Sequence, residues 1–450
     1  MPAKTYAVFS WELKYDLLPQ TGSGTYITEF EVHSMFLTLF ANQKGEAMEN
    51  PEVTMLGRSG LEWVEAEQSE MIPLPKGASL VSLPGFVPVG IGRKGDLQYF
   101  AVQPDHCDAP VTAVAALLPQ GFTRTMLPAC VSPEAKSLPL FGYAAVGFKD
   151  DKIWAAAVQS DEHRKWHPRY YNTVALPQRI DRMLSKYPEN RILRQLARCS
   201  LQYSCYTAQN LFYGRWEAGI PTMTACNADC IGCISESHLE MDSPQHRLDF
   251  LPSVQEIYEV GLEHLLHARE AIISFGQGCE GEPSLNADRL AEAIRFIRRD
   301  TDQGTINMNS NAGYTEGLVK MTDAGLDALR VTIFSCQEQN YNIYHRPKNY
   351  RLEDVKNSIK YAHDHGLRVS LNLLTFPGFT DREDEIGALL DLLTEGNVDM
   401  LQLRNLNIDP QELFSRLEPG GEVMGITNFI GIIQQEMPRV QIGSYTHPVR

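Results

Sequence analysis

The chain has 450 residues, of which 43% are apolar, and its 56 acidic and 40 basic side chains give a net charge of −16. This composition is typical of a globular protein and excludes wholesale disorder, and the length predicts about two or three domains. The acidic balance disfavours nucleic acid or anionic lipid as a partner, although it does not exclude a local basic groove.

The nine cysteines are odd in number and lie in a long chain. No run of roughly 18 apolar residues occurs, so the sequence predicts no membrane-spanning helix and no membrane partner. The first residues, Met1 to Lys4, lack the apolar core of a secretion signal, so we expect a cytoplasmic protein. In that compartment cysteines more often ligate metals or do chemistry than form a disulfide framework.

Residues 1–172 have the pattern of short strands and turns, and we expect a β-rich N-terminal domain there. The predicted strands include residues 26–40 and a stretch at 79–91 that two prolines divide. Residues 148–153 predict a hairpin with aspartates at its turn, and residues 154–158 its return strand.

Residues 173–217 have apolar side chains at helical spacing and predict a helical bridge. From residue 218 to 410 short apolar runs alternate with amphipathic stretches, which predicts right-handed βαβ units and a parallel sheet. The predicted strands are 220–224, 271–275, 305–308, 329–334, 369–374 and 400–403. The predicted helices are 287–299, 316–324, 352–365 and 381–393.

Helix ends are also predicted from individual residues. Gly325 and Gly366 stand where C-terminal caps are expected, and Thr380-Asp381 with Glu383 resembles a capping box. The predicted fold class is therefore α/β, a partial (β/α)6 TIM-like barrel that follows the β-rich domain and precedes a C-terminal α/β cap at residues 411–450. In a barrel of this kind the chemistry lies at the C-terminal ends of the strands.

Cys226, Cys230 and Cys233 lie within eight residues of one another, just after the first predicted barrel strand. Three thiolates on a short loop can hold three irons of a cubane cluster and leave the fourth iron open for chemistry. The alternatives are a zinc site completed by a remote ligand and accidental clustering. Zinc sites usually pair two CxxC motifs, and a second one is not found in the sequence.

This CxxxCxxC loop after a first barrel strand resembles that of the radical SAM superfamily, and the resemblance covers roughly residues 219–410. It implies a [4Fe-4S] cluster on the three cysteines and S-adenosyl-L-methionine on the open iron. Reductive cleavage then gives a 5′-deoxyadenosyl radical that abstracts hydrogen from a substrate. One departure is Gly232, since an aromatic residue usually precedes the third cysteine. The domain layout is similar to that of radical SAM proteins with a β-rich N-terminal half, and this resemblance does not indicate which substrate the protein uses.

The resemblance also implies cofactor-binding residues at later strand ends. Glu280, Gly281 and Glu282 match a turn that receives the ammonium group of the cofactor, with Glu282 preferred and Glu280 as its rival. The neighbouring Cys279 is either a fourth ligand, a radical site or an inert thiol. The other predicted cofactor contacts are Asn309, Asn311, Thr332 and Asn372. For each of these residues the alternative is an ordinary structural contact.

Substrate contacts are predicted from basic residues on the reactive side of the barrel. Arg346 lies in a segment of basic and aromatic residues at 341–351, and Arg404 lies at the end of the sixth predicted strand. Arg330 is a charged residue inside a predicted buried strand, so it needs a carboxylate partner or a bound anion. A second basic and aromatic segment spans residues 164–171.

The sequence therefore predicts a radical SAM enzyme with an unknown small-molecule, peptide or protein substrate and a reductant such as ferredoxin or flavodoxin. One alternative is an activating enzyme that forms a radical on another protein. A second is a non-enzymatic iron–sulfur electron carrier or sensor. A third is RNA modification, which the acidic balance disfavours without excluding it.

Overall fold

The computed structural model describes residues 35–104, 106–134, 140–236 and 245–450. The N-terminal part consists of short strands whose pairings are all antiparallel, and most of them join one branched sheet. The strands are β1 Leu37–Ala41, β2 Ala47–Ser59, β3 Glu62–Glu65, β4 Met71–Pro73, β5 Ser79–Leu83, β6 Val87–Gly92, β7 Leu97–Tyr99, β8 Val102–Gln103, β9 His106–Pro110, β10 Thr112–Leu117, β11 Phe122–Arg124, β12 Leu127–Pro128, β13 Cys130–Val131, β14 Val146–Lys149 and β15 Lys152–Gln159.

Local sequence explains several of these strands. The stretch at 79–91 forms two strands, β5 and β6, as the prolines predicted. The hairpin of β14 and β15 turns at Asp150 and Asp151, whose φ angles of 51° and 56° are left-handed, as a two-residue hairpin turn requires. The predicted strand at 26–40 lies mostly outside the described residues, and only its last residues overlap β1.

Three helices connect this part to a parallel sheet: α1 Leu176–Lys186, α2 Arg191–Gln202 and α3 Tyr206–Tyr213. The sheet strands are β16 Arg215–Gly219, β17 Arg269–Phe275, β18 Thr305–Ser310, β19 Ala328–Ile333, β20 Arg368–Thr375, β21 Met400–Asn405 and β22 Gln441–Gly443. The helices between them are α4 Val254–His267, α5 Ala287–Asp300, α6 Thr315–Thr322, α7 Glu338–His345, α8 Leu352–Asp364, α9 Glu383–Glu395, α10 Pro410–Phe414 and α11 Ile426–Glu436.

The seven strands pair in chain order and all run parallel. The sheet is curled, so that its two edge strands approach each other. Glu217 of β16 accepts a hydrogen bond from Thr446, just after β22, at 3.1 Å. The result is an open, partial TIM-like barrel with one strand more than the six predicted, since β22 is too short to have been recognised from its sequence.

The two faces of the sheet differ in polarity. Alternate residues such as Ile306 and Met308 of β18 join the apolar core that the helices cover, whereas Asn307 and Asn309 belong to a polar hydrogen-bond network on the other face. This alternation follows from the two-residue period of a strand. The barrel interior is therefore polar, as a binding site requires.

Two sequence predictions are wrong in detail. The first barrel strand is Arg215–Gly219 and not residues 220–224, so it begins inside the predicted helical bridge. The capping box is also wrong: Thr380 accepts from the Phe376 amide and Asp381 from the Gly378 amide, so both close the turn before α9 instead of capping it. The glycine caps are confirmed by the positive φ angles of Gly325 and Gly366.

The N-terminal sheet packs against the C-terminal ends of the barrel strands. Arg124 of β11 is almost fully buried and donates to the carbonyl oxygens of Phe141, at 3.0 Å, and of Leu406 after β21. Its guanidinium lies over the Phe376 ring, and its backbone amide donates to Asn405 at 3.0 Å. Arg124 is thus one of the residues that connect the two parts of the molecule.

We expect Arg124→Ala to lower the free energy of unfolding by about 3 kcal/mol, because two buried carbonyl oxygens lose their donor. The measurement is the urea unfolding midpoint. Arg93→Ala is the control, since Arg93 forms an exposed ion pair with Glu52 and such pairs contribute about 0–1 kcal/mol. Equal midpoints for the two variants would contradict the bridging role of Arg124.

Candidate metal and cofactor site

The three cysteines of the CxxxCxxC loop lie beyond the C-terminal end of β16. They are half-buried free thiols. Burial raises the pKa of the Cys230 thiol well above its usual value, and the nearby Cys226 and Cys233 sulfurs raise it further. Burial also raises the pKa of Cys226, to about 11. The three sulfurs are therefore close enough to repel one another as thiolates.

A segment after β19 holds one side of this loop by backbone hydrogen bonds. We call residues 344–348 the clasp segment. The Ile231 amide donates to the Tyr344 carbonyl at 3.0 Å, and the Lys348 amide donates to the Asn227 carbonyl at 2.7 Å. Lys348 also forms an ion pair with Asp229. The basic and aromatic segment at 341–351 is thus a support of the cysteine loop.

Arg346 lies within the clasp segment, in a left-handed conformation with a φ of 45°, and its side chain is exposed. Its backbone carbonyl accepts from the Asp229 amide at 3.3 Å. The structure places Arg346 beside the cysteine loop, and its contact with a substrate stays a prediction.

Gly232 has no room for a side chain. A Cβ there would lie 2.6 Å from the hydroxyl oxygen of Tyr344, which belongs to the clasp segment. Tyr344 is fully buried and stacks on Phe334 with ring centroids 4.4 Å apart. The aromatic ring that the loop lacks at residue 232 is therefore supplied from the clasp segment.

His345 is a residue whose role the sequence reasoning missed. Its Nε2 accepts from the Phe334 amide at 3.1 Å, so the network assigns the ring proton to Nδ1, which lies 3.3 Å from the Cys230 sulfur. Burial lowers the pKa of His345 to about 3, so the ring is neutral. If Cys230 is a cluster ligand, as predicted, a neutral N–H aimed at its sulfur is the kind of contact that tunes an iron–sulfur centre. The sequence showed only a histidine among basic and aromatic neighbours.

The loop after β17 holds the other side of the cysteine loop. The Gly281 amide donates to the Met223 carbonyl at 2.7 Å, and the Glu282 amide donates to the Ala225 carbonyl at 2.8 Å. A Cβ on Gly281 would overlap the Ala225 carbonyl oxygen. Glycine is therefore required for this close approach of two backbones.

The two rival carboxylates have different surroundings. Glu280 accepts from the amides of Thr222, Met223 and Gly276 and from the Thr222 hydroxyl, so it fixes the loop to the chain that leads to the cysteines. Burial raises its pKa to about 8.

Glu282 is turned toward the end of β18. It accepts from the Ser284 amide at 3.0 Å, the Ser310 hydroxyl at 2.6 Å and the Asn311 amide at 2.9 Å. Burial raises its pKa, and its charge raises the pKa of Cys226. Glu282 is thus within electrostatic range of a predicted cluster ligand.

The four cofactor contacts predicted at later strand ends have different hydrogen-bond partners. Asn311 donates to Asn227 of the cysteine loop at 2.6 Å, so it belongs to the same site. Asn309 donates to Gln277 at 2.5 Å, inside the barrel. Thr332 accepts from Asn372 at 3.1 Å on adjacent strands. The Oδ1 atom of Asn372 is buried and has no hydrogen-bond partner in the described part of the chain, which leaves an acceptor for a ligand.

Cys279 does not join the three cysteines. Its sulfur lies 3.1 Å from the Cys199 sulfur of α2, and both thiols are buried. This contact favours a structural thiol over a fourth cluster ligand.

The donor set of three thiols fits an iron–sulfur cluster, because a cubane takes each thiolate on a different iron. Over residues 35–104, 106–134, 140–236 and 245–450, no group of three or more His, Cys, Asp and Glu side chains is arranged around one metal position. Iron would also stabilise thiolates that burial otherwise disfavours.

Residues 220–392 match the family model described as the radical SAM superfamily. This part of the chain belongs to that superfamily, and the chain therefore contains the domain of radical SAM enzymes. Membership implies S-adenosylmethionine and an iron–sulfur cluster as cofactors. No curated protein matches the chain. Among the described residues, no helix has the length and apolar character needed to cross a membrane.

Several solved structures are similar to the chain. SuiB from Streptococcus suis, bound to precursor peptide SuiA, has a TM-score of 0.37 and 11% identity over 56% of this chain and 54% of its own. Methylornithine synthase (PylB) has a TM-score of 0.36 and 15% identity over 58% and 77%. A radical SAM methyltransferase from Sphaerobacter thermophilus has a TM-score of 0.37 and 17% identity over 50% and 63%. The chain spans about half the length of SuiB, and at these scores the likeness transfers no function.

We expect Gly281→Ala to lower iron incorporation, because the new methyl group separates the two backbones that hold the cysteine loop. The measurement is iron per chain after anaerobic reconstitution, together with the unfolding midpoint. Gly387→Ala is the matched control, since a Cβ on Gly387 of α9 meets no atom within 4 Å and alanine is the better helix former by about 1 kcal/mol. Full iron loading of Gly281→Ala would contradict the requirement for glycine.

Proposed function

We propose that this chain is a radical SAM enzyme whose Cys226, Cys230 and Cys233 bind a [4Fe-4S] cluster. The observation that carries the proposal is the set of three neighbouring thiols held on both sides by backbone hydrogen bonds. When bound, the cluster and S-adenosylmethionine supply a 5′-deoxyadenosyl radical for hydrogen abstraction. A reductant such as ferredoxin or flavodoxin and a cytoplasmic location belong to the same proposal.

The residues of the chain position the cofactor and exclude water in this proposal. Glu282 receives the ammonium group of the cofactor, with Gly281 allowing the close approach and Glu280 fixing the loop. Asn311, Thr332 and Asn372 contact the rest of the cofactor, and Asn309 supports them from inside the barrel. Arg346 and Arg404 are proposed substrate contacts.

The N-terminal domain contributes to shielding. Leu127 and Phe141 from this domain share one apolar cluster with Ile231 of the cysteine loop, Tyr344 of the clasp segment and Leu406 after β21. We propose that this cluster keeps solvent from the radical chemistry. The domain division at residues 1–172, 173–217, 218–410 and 411–450 stays a proposal, with its barrel boundary moved to Arg215, where β16 begins.

We predict that Cys230→Ala fails to hold four irons, because a cubane on this loop needs all three thiolates. Iron content and the visible charge-transfer absorption of anaerobically reconstituted protein measure the effect. The matched control is Cys130→Ala, a buried cysteine in the N-terminal sheet. A full complement of iron in Cys230→Ala would refute the cluster assignment, and cofactor cleavage by the parent protein on reduction distinguishes an enzyme from an electron carrier.

We predict that Glu282→Gln weakens S-adenosylmethionine binding by roughly 10- to 150-fold, because it removes a charge-assisted hydrogen bond to the ammonium group. Equilibrium binding to cluster-loaded protein measures the effect, and iron content shows whether the site is intact. Glu280→Gln is the comparison, since Glu280 is bonded only within its own loop and to Thr222 and Met223. Unchanged affinity in Glu282→Gln with a loss in Glu280→Gln would assign the role to Glu280.

A further inference from the structure

Two arginines and one carboxylate lie together inside the barrel. Arg330 of β19 and Glu217 of β16 have side chains that are 7% and 2% exposed, and the Arg330 Nη1 atom lies 3.7 Å from Glu217 Oε1. That distance is too long for a hydrogen bond. Of the two partners expected for Arg330, a carboxylate or a bound anion, the carboxylate is therefore present but is not hydrogen-bonded to it.

The hydrogen bonds of Arg330 go to neutral groups. Its Nη1 donates to the Thr446 hydroxyl at 2.8 Å and to the Gln402 amide oxygen at 3.4 Å, and its Nη2 donates to the Gln277 amide oxygen. Its Nε–H is buried and has no partner within the described ranges, and the same is true of Glu217 Oε2. A buried N–H without a partner is costly unless an acceptor, such as an oxygen atom of a ligand, completes it.

Arg404 adds a second cation to this interior. It lies at the C-terminal end of β21, and its Nη1 donates to the Ser444 carbonyl at 2.8 Å, the one side-chain hydrogen bond that it makes within the described residues. Burial and, to a smaller extent, the charge of Arg330 lower its pKa to about 10, although the Glu217 carboxylate opposes this shift. The two guanidinium groups thus share a single carboxylate.

The charge count follows from these contacts. Among these three side chains, two guanidinium groups and one carboxylate leave an excess of positive charge, and a buried charge without a partner is unfavourable. A planar guanidinium group can donate two parallel hydrogen bonds to two oxygen atoms of a carboxylate or phosphate group. The strand end that carries Arg404 faces the reactive side of the barrel.

We propose that Arg404 and Arg330 bind an oxyanion, a carboxylate or phosphate group, of the substrate. The inference rests on the proposed function for the identity of the ligand as substrate, and it adds the substrate class: an anionic molecule held by this group while another part of it faces the radical. Glu217 orients Arg330 and sets the charge of the site, so it is a positioning residue.

The test measures the binding of three probes to cluster-loaded protein: inorganic phosphate, propionate and the neutral propionamide. The unfolding midpoint at graded probe concentrations gives the apparent affinity, with and without saturating S-adenosylmethionine. We expect phosphate or propionate to bind and propionamide not to bind, and the stronger anion identifies which oxyanion the site prefers.

The variants make the test specific to this site. We expect Arg404→Gln to weaken anion binding by roughly 10- to 150-fold, the range for loss of a hydrogen bond to a charged group. The anion affinity of Arg404→Lys should lie between those of the parent protein and Arg404→Gln, because lysine keeps the charge and loses the planar fork. Glu217→Gln should tighten anion binding, a gain that a folding defect does not produce. Arg295→Gln, on the exposed face of α5, is the matched control and should equal the parent protein.

Equal anion affinity in the parent protein, Arg404→Gln and Glu217→Gln would overturn the proposal and leave a purely structural ion network. An affinity for propionamide equal to that for propionate would also overturn the proposal. If S-adenosylmethionine displaces the anion, the site belongs to the cofactor carboxylate and the substrate assignment is wrong. Failure of the radical SAM proposal is seen separately, as absence of the cluster or of cofactor binding.

Discussion

Backbone hydrogen bonds on both sides of the cysteine loop are the constraint on which the candidate site depends. The loop has no regular secondary structure, yet it must hold three thiols in one arrangement, and a buried irregular backbone has to satisfy its polar groups. The chain before the cysteines pairs with Gly281 and Glu282, and the loop itself pairs with the clasp segment. The three cysteines, the loop after β17 and the clasp segment are therefore one hydrogen-bonded unit.

This unit explains why the family departure at Gly232 is tolerated. A larger residue there would collide with Tyr344, so the small residue and the aromatic ring are complementary. The ring is buried among side chains from the barrel and from the N-terminal domain. Shielding of the cysteine loop is therefore shared by distant segments, and no single motif in the sequence contains it.

The sequence predicted the elements that have strong local patterns. The second to sixth parallel strands, four of the helices between the strands and the glycine caps are explained by period and capping. The helices α4 and α7 were not predicted. The first strand was misplaced because it contains two charged residues, which hydrophobic periodicity does not register. Glu217 faces the polar interior, whereas Arg215 lies over the Tyr213 ring. β22 was missed because three residues carry no pattern.

The site was predictable only where spacing carries chemistry. Three cysteines on one loop indicate a cluster, and a Gly-Glu-Pro turn one unit later indicates a ligand-binding bend. The roles of His345 and Tyr344 depend on a long-range pairing between residues 227–231 and the clasp segment, and no local pattern specifies that pairing. The rival roles of Glu280 and Glu282 likewise depend on which neighbouring strand each carboxylate faces.

The end of the chain contributes to the barrel interior as much as the strands do. Ser444 and Thr446 reach Arg404 and Arg330 across the open side of the sheet, and Asp161 from the N-terminal part accepts from the Ser444 amide at 2.9 Å. The open edge is thus lined by polar groups from a segment that is itself held by the N-terminal domain. Because an open sheet otherwise leaves its last strand unsupported, this domain stabilises both ends of the interior: the mouth through Arg124 and the open edge through Asp161.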